Sequence, residues 1–73
     1  MNMIFPVCKI VGYVDGKPIY YKEGFCDSHE TKPTGDNAAD ISDGSWLEES
    51  DTGDVYQYNA VGDEWNKHFS VHA

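Results

Sequence analysis

Ile4-Phe-Pro-Val-Cys-Lys-Ile-Val-Gly-Tyr-Val14, then Asp15-Gly16, then Lys17-Pro-Ile-Tyr-Tyr-Lys-Glu-Gly-Phe25, is the stretch that decides the fold. Two runs rich in β-branched and aromatic residues flank an Asp-Gly pair. A two-residue type I′ turn needs positive φ at both central positions, which Asp and Gly supply, so this segment predicts a β-hairpin over 4–25. With Asp15 and Gly16 as the loop, Val14 faces Lys17. Counting back, Val11 faces Tyr20, Ile10 faces Tyr21 and Cys8 faces Glu23.

The other end of the chain repeats the pattern. Ser45–Ser50 reads as a strand, Asp51-Thr52-Gly53 as a turn, and Asp54–Ala60 as a strand with Tyr56 and Tyr58 at period two. Val61-Gly62-Asp63 makes the next turn. Glu64–Val71 is a last strand that sets Trp65, Lys67, Phe69 and Val71 on one face. The first turn leaves the register open: a three-residue loop pairs Trp46 with Tyr58, and a two-residue loop pairs Leu47 with Tyr58.

Between hairpin and meander lies a polar loop, 26–44. Pro33, Gly35, Asp36 and Asn37 are turn formers, and only Ile41 offers an apolar anchor. A loop this long is commonly either a contact element or a mobile one. The sequence does not choose. The fold predicted over 1–73 is a single all-β domain of about five strands, a small antiparallel sheet or a compact barrel or sandwich.

Composition narrows function. Thirteen acidic residues stand against five lysines and no arginine, a net charge of −8. Such a chain repels phosphate and lacks the side chain that most often reads it, which argues against nucleic-acid binding. The acidity reads as solubility; a mimic of nucleic acid would need dense rows of carboxylates, whereas Asp15, Asp36, Asp40, Asp43, Asp51 and Asp63 fall in turns and loops. No run is long and apolar enough for a membrane span, and no targeting pattern is legible near either terminus. A chain of 73 residues buries only about 60% of its unfolded surface, which favours a protein that works within an assembly.

Candidate chemistry is sparse. Cys26 and His29 have ligand-like spacing, but His68 and His72 stand about 13 Å apart along a strand, too far for one ion. Asp51 and Asp54 supply only two carboxylates towards a calcium loop. Asp51-Thr52-Gly53 matches the tripeptide of aspartic proteases, a mechanism that needs two opposed copies. Cys8 and Cys26 approach each other only if the chain bends back after Glu23, and two cysteines do not make a disulfide scaffold. The expectation is therefore no catalytic residue, no metal and no cofactor. What remains is a surplus of aromatics, 14% of residues, on a chain with no helix to cover the second face of its sheet. Tyr20, Tyr21, Trp46, Tyr56 and Tyr58 are the residues expected to form an interface.

Gly44, Trp46, Thr52, Gly53, Tyr56, Tyr58, Asn59 and Trp65 form a pattern that resembles a β-meander of small bacteriophage virion proteins of the head-fibre and tail-fibre type. It covers about a third of the chain. The turn between Asn59 and Trp65 is longer than the usual pattern, and the single copy fits a compact head-associated protein better than a repetitive shaft. The resemblance implies a non-enzymatic structural protein: a capsid decoration or head-fibre component, assembled in the host cytoplasm. Its partners would be the major capsid protein or another head component, with a homo-oligomer as a further use of the surplus aromatics. The rival readings are a small acidic regulator or inhibitor of one host protein, and a metal- or disulfide-stapled module.

Overall fold

The computed structural model describes residues 3–70. It is all-β: β1 (Ile4–Val14), β2 (Lys17–Cys26), β3 (Trp46–Glu49), β4 (Asp54–Asn59) and β5 (Glu64–Ser70), with one 3-10 turn at Gly35–Ala38. The five strands make one sheet in sequence order, β1-β2-β3-β4-β5. Three joins are antiparallel and the join of β2 to β3 is parallel. The sheet is thus mixed and open, where the sequence had suggested an antiparallel sheet or a closed form.

Asp15 and Gly16 have φ of 51° and 78°, the type I′ turn that the sequence predicts. Val14 faces Lys17 as expected, but the register slips at Val11, so Ile10 faces Tyr20 and Cys8 faces Lys22. An extra residue on one strand is a β-bulge, and it twists the long hairpin more strongly. Cys8 and Cys26 are both free thiols, the first exposed and the second buried. Four residues separate Cys26 from the partner of Cys8 on β2, about 13 Å of strand.

The β3–β4 loop has four residues, Ser50 to Gly53, closed by the Gly53 N–H on the Glu49 carbonyl at 2.7 Å. Trp46 consequently faces Gln57, and Leu47 faces Tyr56. Neither register offered by the sequence is the one adopted. A four-residue loop costs one more residue of Ser50–Gly53 but lets the Thr52 hydroxyl donate to the Glu49 carboxylate at 2.7 Å. In β5, His68 is a further bulge between the Val55–Phe69 and Tyr56–Lys67 pairs. It turns Phe69 to the face opposite Trp65, correcting the expectation that the two share a face. Val71 and His72 lie outside the described residues.

The parallel join makes the chain cross back over one face of the sheet between Cys26 and Trp46. That crossover is the second layer of the molecule. Its Ala38 and Ile41 pack on Tyr58, with Trp65 against them. Ile41 also bridges Tyr20 in the sheet plane. The backbone of the crossover is held by side chains from far along the sequence. The Trp65 Nε1–H donates to the Pro33 carbonyl at 2.8 Å, and the Asp63 carboxylate accepts the Gly35 N–H at 2.9 Å. The Ser45 hydroxyl accepts the Lys22 N–H, and Asp51 accepts the Ser28 N–H. The loop is therefore neither a free contact element nor a slack connection; it is structural.

Candidate interaction surface

The crossover covers one face of the sheet and leaves the other bare. On the covered face, Lys32 reaches the Glu49 carboxylate at 2.6 Å while lying over the Tyr56 ring, 4.0 Å from its centroid. Tyr58 is only 5% exposed and donates its hydroxyl to Asp63 at 2.8 Å. Burial, and then Asp63, push that phenol up to about 12. The Gly35 N–H and the Tyr58 hydroxyl hold Asp63 below its ordinary range. Three of the residues expected at an interface, Tyr20, Tyr56 and Tyr58, thus belong to the covered face. For Tyr58 this is a correction: its side chain is core, because the crossover seals it.

The other two, Tyr21 and Trp46, stand on the bare face. Trp46 is the centre of that surface. His68 meets its ring edge-on with centroids 5.0 Å apart, and Phe69 tilts against it at 5.9 Å. Pro6, Val7, Phe25 and Val55 complete a groove of about 450 Å³, with Glu23 and Glu48 on its walls. Phe69 is half exposed and Phe25 only slightly less. Neither is among the residues that the sequence points to as an interface, because their place on this face depends on the bulge at His68 and on the parallel register. Tyr21 donates to the Glu23 carboxylate at 2.5 Å, which raises the tyrosine above its ordinary value.

A second exposed apolar region is the far end of the hairpin. β3 accompanies β2 only from Glu23 onwards, and the last neighbour towards the turn is Ile41 beside Tyr20. Beyond that point β1 and β2 form a two-stranded arm. Ile10, Val11, Tyr13 and Val14 are all more than half exposed, Tyr13 at 67%. The arm is also electrostatically unlike the rest. Residues 9–19 hold Lys9 and Lys17 against Asp15, a net of +1, so the remainder of the chain carries −9 of the total −8. Lys9 and Lys17 make no ion pair among the described residues, whereas Lys22, Lys32 and Lys67 each pair with a carboxylate.

The outer strand edges are poor templates for a further strand. β1 carries Pro6 and Lys9 and is interrupted between Ile4 and Val7 and again at Val11. β5 is broken at His68 and bears Glu64 and Lys67. Prolines, charges and bulges are the usual means by which an edge avoids pairing. Contact through faces is left as the better use of this sheet.

The titratable cluster at the other end of the body is a turn fastening. Ligand atoms of Asp27, His29 and Asp51 lie within 4.8 Å of one another. All are already engaged: Asp27 accepts from the His29 N–H and faces its Nδ1, each at 2.9 Å, and Asp51 accepts from the Ser28 N–H and hydroxyl. The bonds from His29 depress Asp27, and Asp27 in turn raises His29; the Ser28 hydroxyl and N–H depress Asp51. Glu30 accepts the Asp27 N–H at 2.8 Å, completing a capped turn. Cys26 is buried, and burial pushes its thiol up, the direction of an inert cysteine. His68 is on the bare face, far from His29 in role, and His72 is outside the described residues. Asp51 and Asp54 also diverge: Asp54 pairs with Lys67 at 3.4 Å while Asp51 binds Ser28.

Comparison of the chain with models of known protein families, with curated proteins and with solved structures finds no match.

Proposed function

We propose that this chain is a non-enzymatic binding subunit, a small bacteriophage structural protein that attaches to a capsid or other head component. The observation that carries the binding role is the bare apolar face around Phe25, Trp46 and Phe69. Aromatic side chains clustered in a shallow groove with charged residues at its border are what a protein interface concentrates. The virion assignment draws its support from the sequence pattern Gly44, Trp46, Thr52, Gly53, Tyr56, Tyr58, Asn59 and Trp65. In this fold, Tyr58 and Trp65 of that pattern tilt against each other with centroids 5.0 Å apart and hold the crossover down. Trp46 alone among its aromatics faces outward on the bare side. The pattern is then a recipe for a stable scaffold with one presented aromatic.

Quantitative mass spectrometry of purified phage particles tests the reading. The expected result is the chain at high copy, in fixed ratio to a head protein. Its absence from particles overturns the virion assignment. The acidic body favours one other reading, a regulator that binds a basic surface of a single host protein; that reading requires a stoichiometric host partner and no chain in particles.

A further inference from the structure

The bare face of the body continues along one of the two faces of the arm. Paired residues in a sheet share a face, and faces alternate along each strand. Val7 pairs with Glu23 in the groove wall; two residues on, Lys9 pairs with Tyr21, and beyond the bulge Val14 pairs with Lys17. Counting along β2 by twos from Glu23 gives Tyr21, Ile19 and Lys17. Lys9, Val14, Lys17 and Ile19 of the arm therefore lie on the same face as Trp46, Phe69, Glu23 and Glu48 of the groove. One end of this face carries Val14 and Ile19 with two lysines that make no ion pair among the described residues, and the other is apolar with glutamates; Ile10 and Tyr13, paired with Tyr20 and Pro18, lie on the opposite face.

We infer that this chain forms a two-fold dimer through that face, with the arm of each copy laid across the groove of the other. This rests on the binding role proposed above and names a second copy as the occupant. Charge selects the arrangement. An antiparallel pairing sets Lys9 and Lys17 of one copy over Glu23 and Glu48 of its partner, twice by symmetry. A parallel pairing would stack lysine on lysine and glutamate on glutamate. Like charges brought together across an interface suppress the wrong mode, and opposite ones fix the register. Size agrees: the molecule measures 41 by 23 Å in its two longer dimensions. The rectangle so bounded, on the order of 900 Å² per copy, is an upper limit because the arm is only two strands wide, and it is of the size of the roughly 800 Å² per partner of a standard stable interface. Two sheets packed in this way make a β-sandwich, giving each bare face the second layer that the crossover gives the other. The contact is isologous and closed, so it yields dimers and not filaments.

The test uses the intact chain and two double variants, Lys9→Glu with Lys17→Glu, and Glu23→Lys with Glu48→Lys. Sedimentation equilibrium should show the unaltered protein at twice its 8.2 kDa mass, with dissociation favoured by added salt. Each variant alone should dimerise at least about tenfold more weakly, since its arms and grooves now carry like charge. Mixed in equal amounts, the two variants should recover the dimer, because each arm again meets an opposite groove. Circular dichroism confirms that both variants are folded; where the groove pair fails this check, Glu48→Lys alone takes its place in the mixing. A protein monomeric at every concentration overturns the inference, as does a mixture of folded variants that stays monomeric. The outcome is separable from that of the binding role. A monomer found at high copy in particles sinks only the dimer, and a dimer absent from particles sinks only the virion reading.

Discussion

β2 lives under two regimes along its own length. From Glu23 to Cys26 it has β1 on one side, β3 on the other and the crossover packed over one face; from Lys17 to Ile19 it has only β1. The first region is acidic, layered and stapled by side-chain bonds to the backbone of the crossover. The second is weakly basic, unlayered and apolar on the outside. Isolated two-stranded ribbons are marginal in water, so the arm borrows its order from the body. What the difference teaches is that a five-stranded sheet does not by itself define a core. Here the buried cluster of Ala38, Ile41 and Tyr58 exists because the irregular segment returns over the sheet.

The contrast can be broken most forcefully at Lys32. Its ammonium neutralises Glu49, whose side chain is only 6% exposed. Lys32→Met should destabilise the fold by about 3–5 kcal/mol, the cost of an uncompensated buried charge, measured by urea denaturation. Adding Glu49→Leu should recover most of that loss, since removing both partners of such a pair is often neutral.

Gly24 is the next point of attack, inside the body where β1 presses on β2. A Cβ there would overlap the Ile4 carbonyl oxygen and press on the Phe5 ring. Gly24→Ala should cost about 3 kcal/mol, because a backbone atom cannot swing aside. Amide hydrogen exchange should show protection lost first across residues 4–8.

Tyr58→Phe removes one of two bonds to Asp63 and should cost about 1 kcal/mol by thermal melting. By contrast, Tyr13→Ser in the arm should leave the stability of the monomer within about 0.5 kcal/mol of the original, as surface changes usually do. Equal losses at Tyr58 and Tyr13 would erase the distinction between the two regions.

The smallest effect concerns pH and belongs to the body alone. Asp27, Asp51 and Asp63 are held below their ordinary 3.8, so their contribution is complete above that value and fades as pH falls through their lowered values. His29 is raised above 6.5, so its contribution is complete below 6.5 and fades as pH rises through its raised value. Melting temperature should therefore plateau between about pH 4 and 6.5 and decline gently on either side. His29→Gln should abolish the decline that begins just above pH 6.5 and leave most of the acid one.

Much of this architecture was legible in the residues. Asp15-Gly16 dictated the first hairpin, and period two in Tyr56 and Tyr58 marked β4. Ile41 stood out as the one apolar anchor of the loop, and it is indeed buried. The registers were not legible, because the bulges at Val11 and His68 answer to sheet twist and neighbouring strands more than to local chemistry. Nor was the parallel join, since the bonds that fix it, Trp65 to Pro33 and Asp63 to Gly35, link residues far apart in sequence. The candidate surface was half legible for the same reason. Tyr21 and Trp46, two of the aromatics the sequence points to, stand on the bare face. Tyr58 reads the same way in the sequence because alternation gives a face but cannot say which face a distant loop will cover.

The parallel join also sets an order of events in time. The two hairpins at either end pair neighbours in sequence and can close within about 1–10 μs. Pairing β2 with β3 must wait for the chain from Asp27 to Ser45 to fold back, and non-local closures of this kind slow folding. Because that step also lays Ala38 and Ile41 over the sheet, barrier crossing and core formation coincide. Until it happens, Tyr58 and Trp65 sit in water on an otherwise formed meander. Before that closure both faces of the sheet present aromatic side chains, and only afterwards does one alone do so.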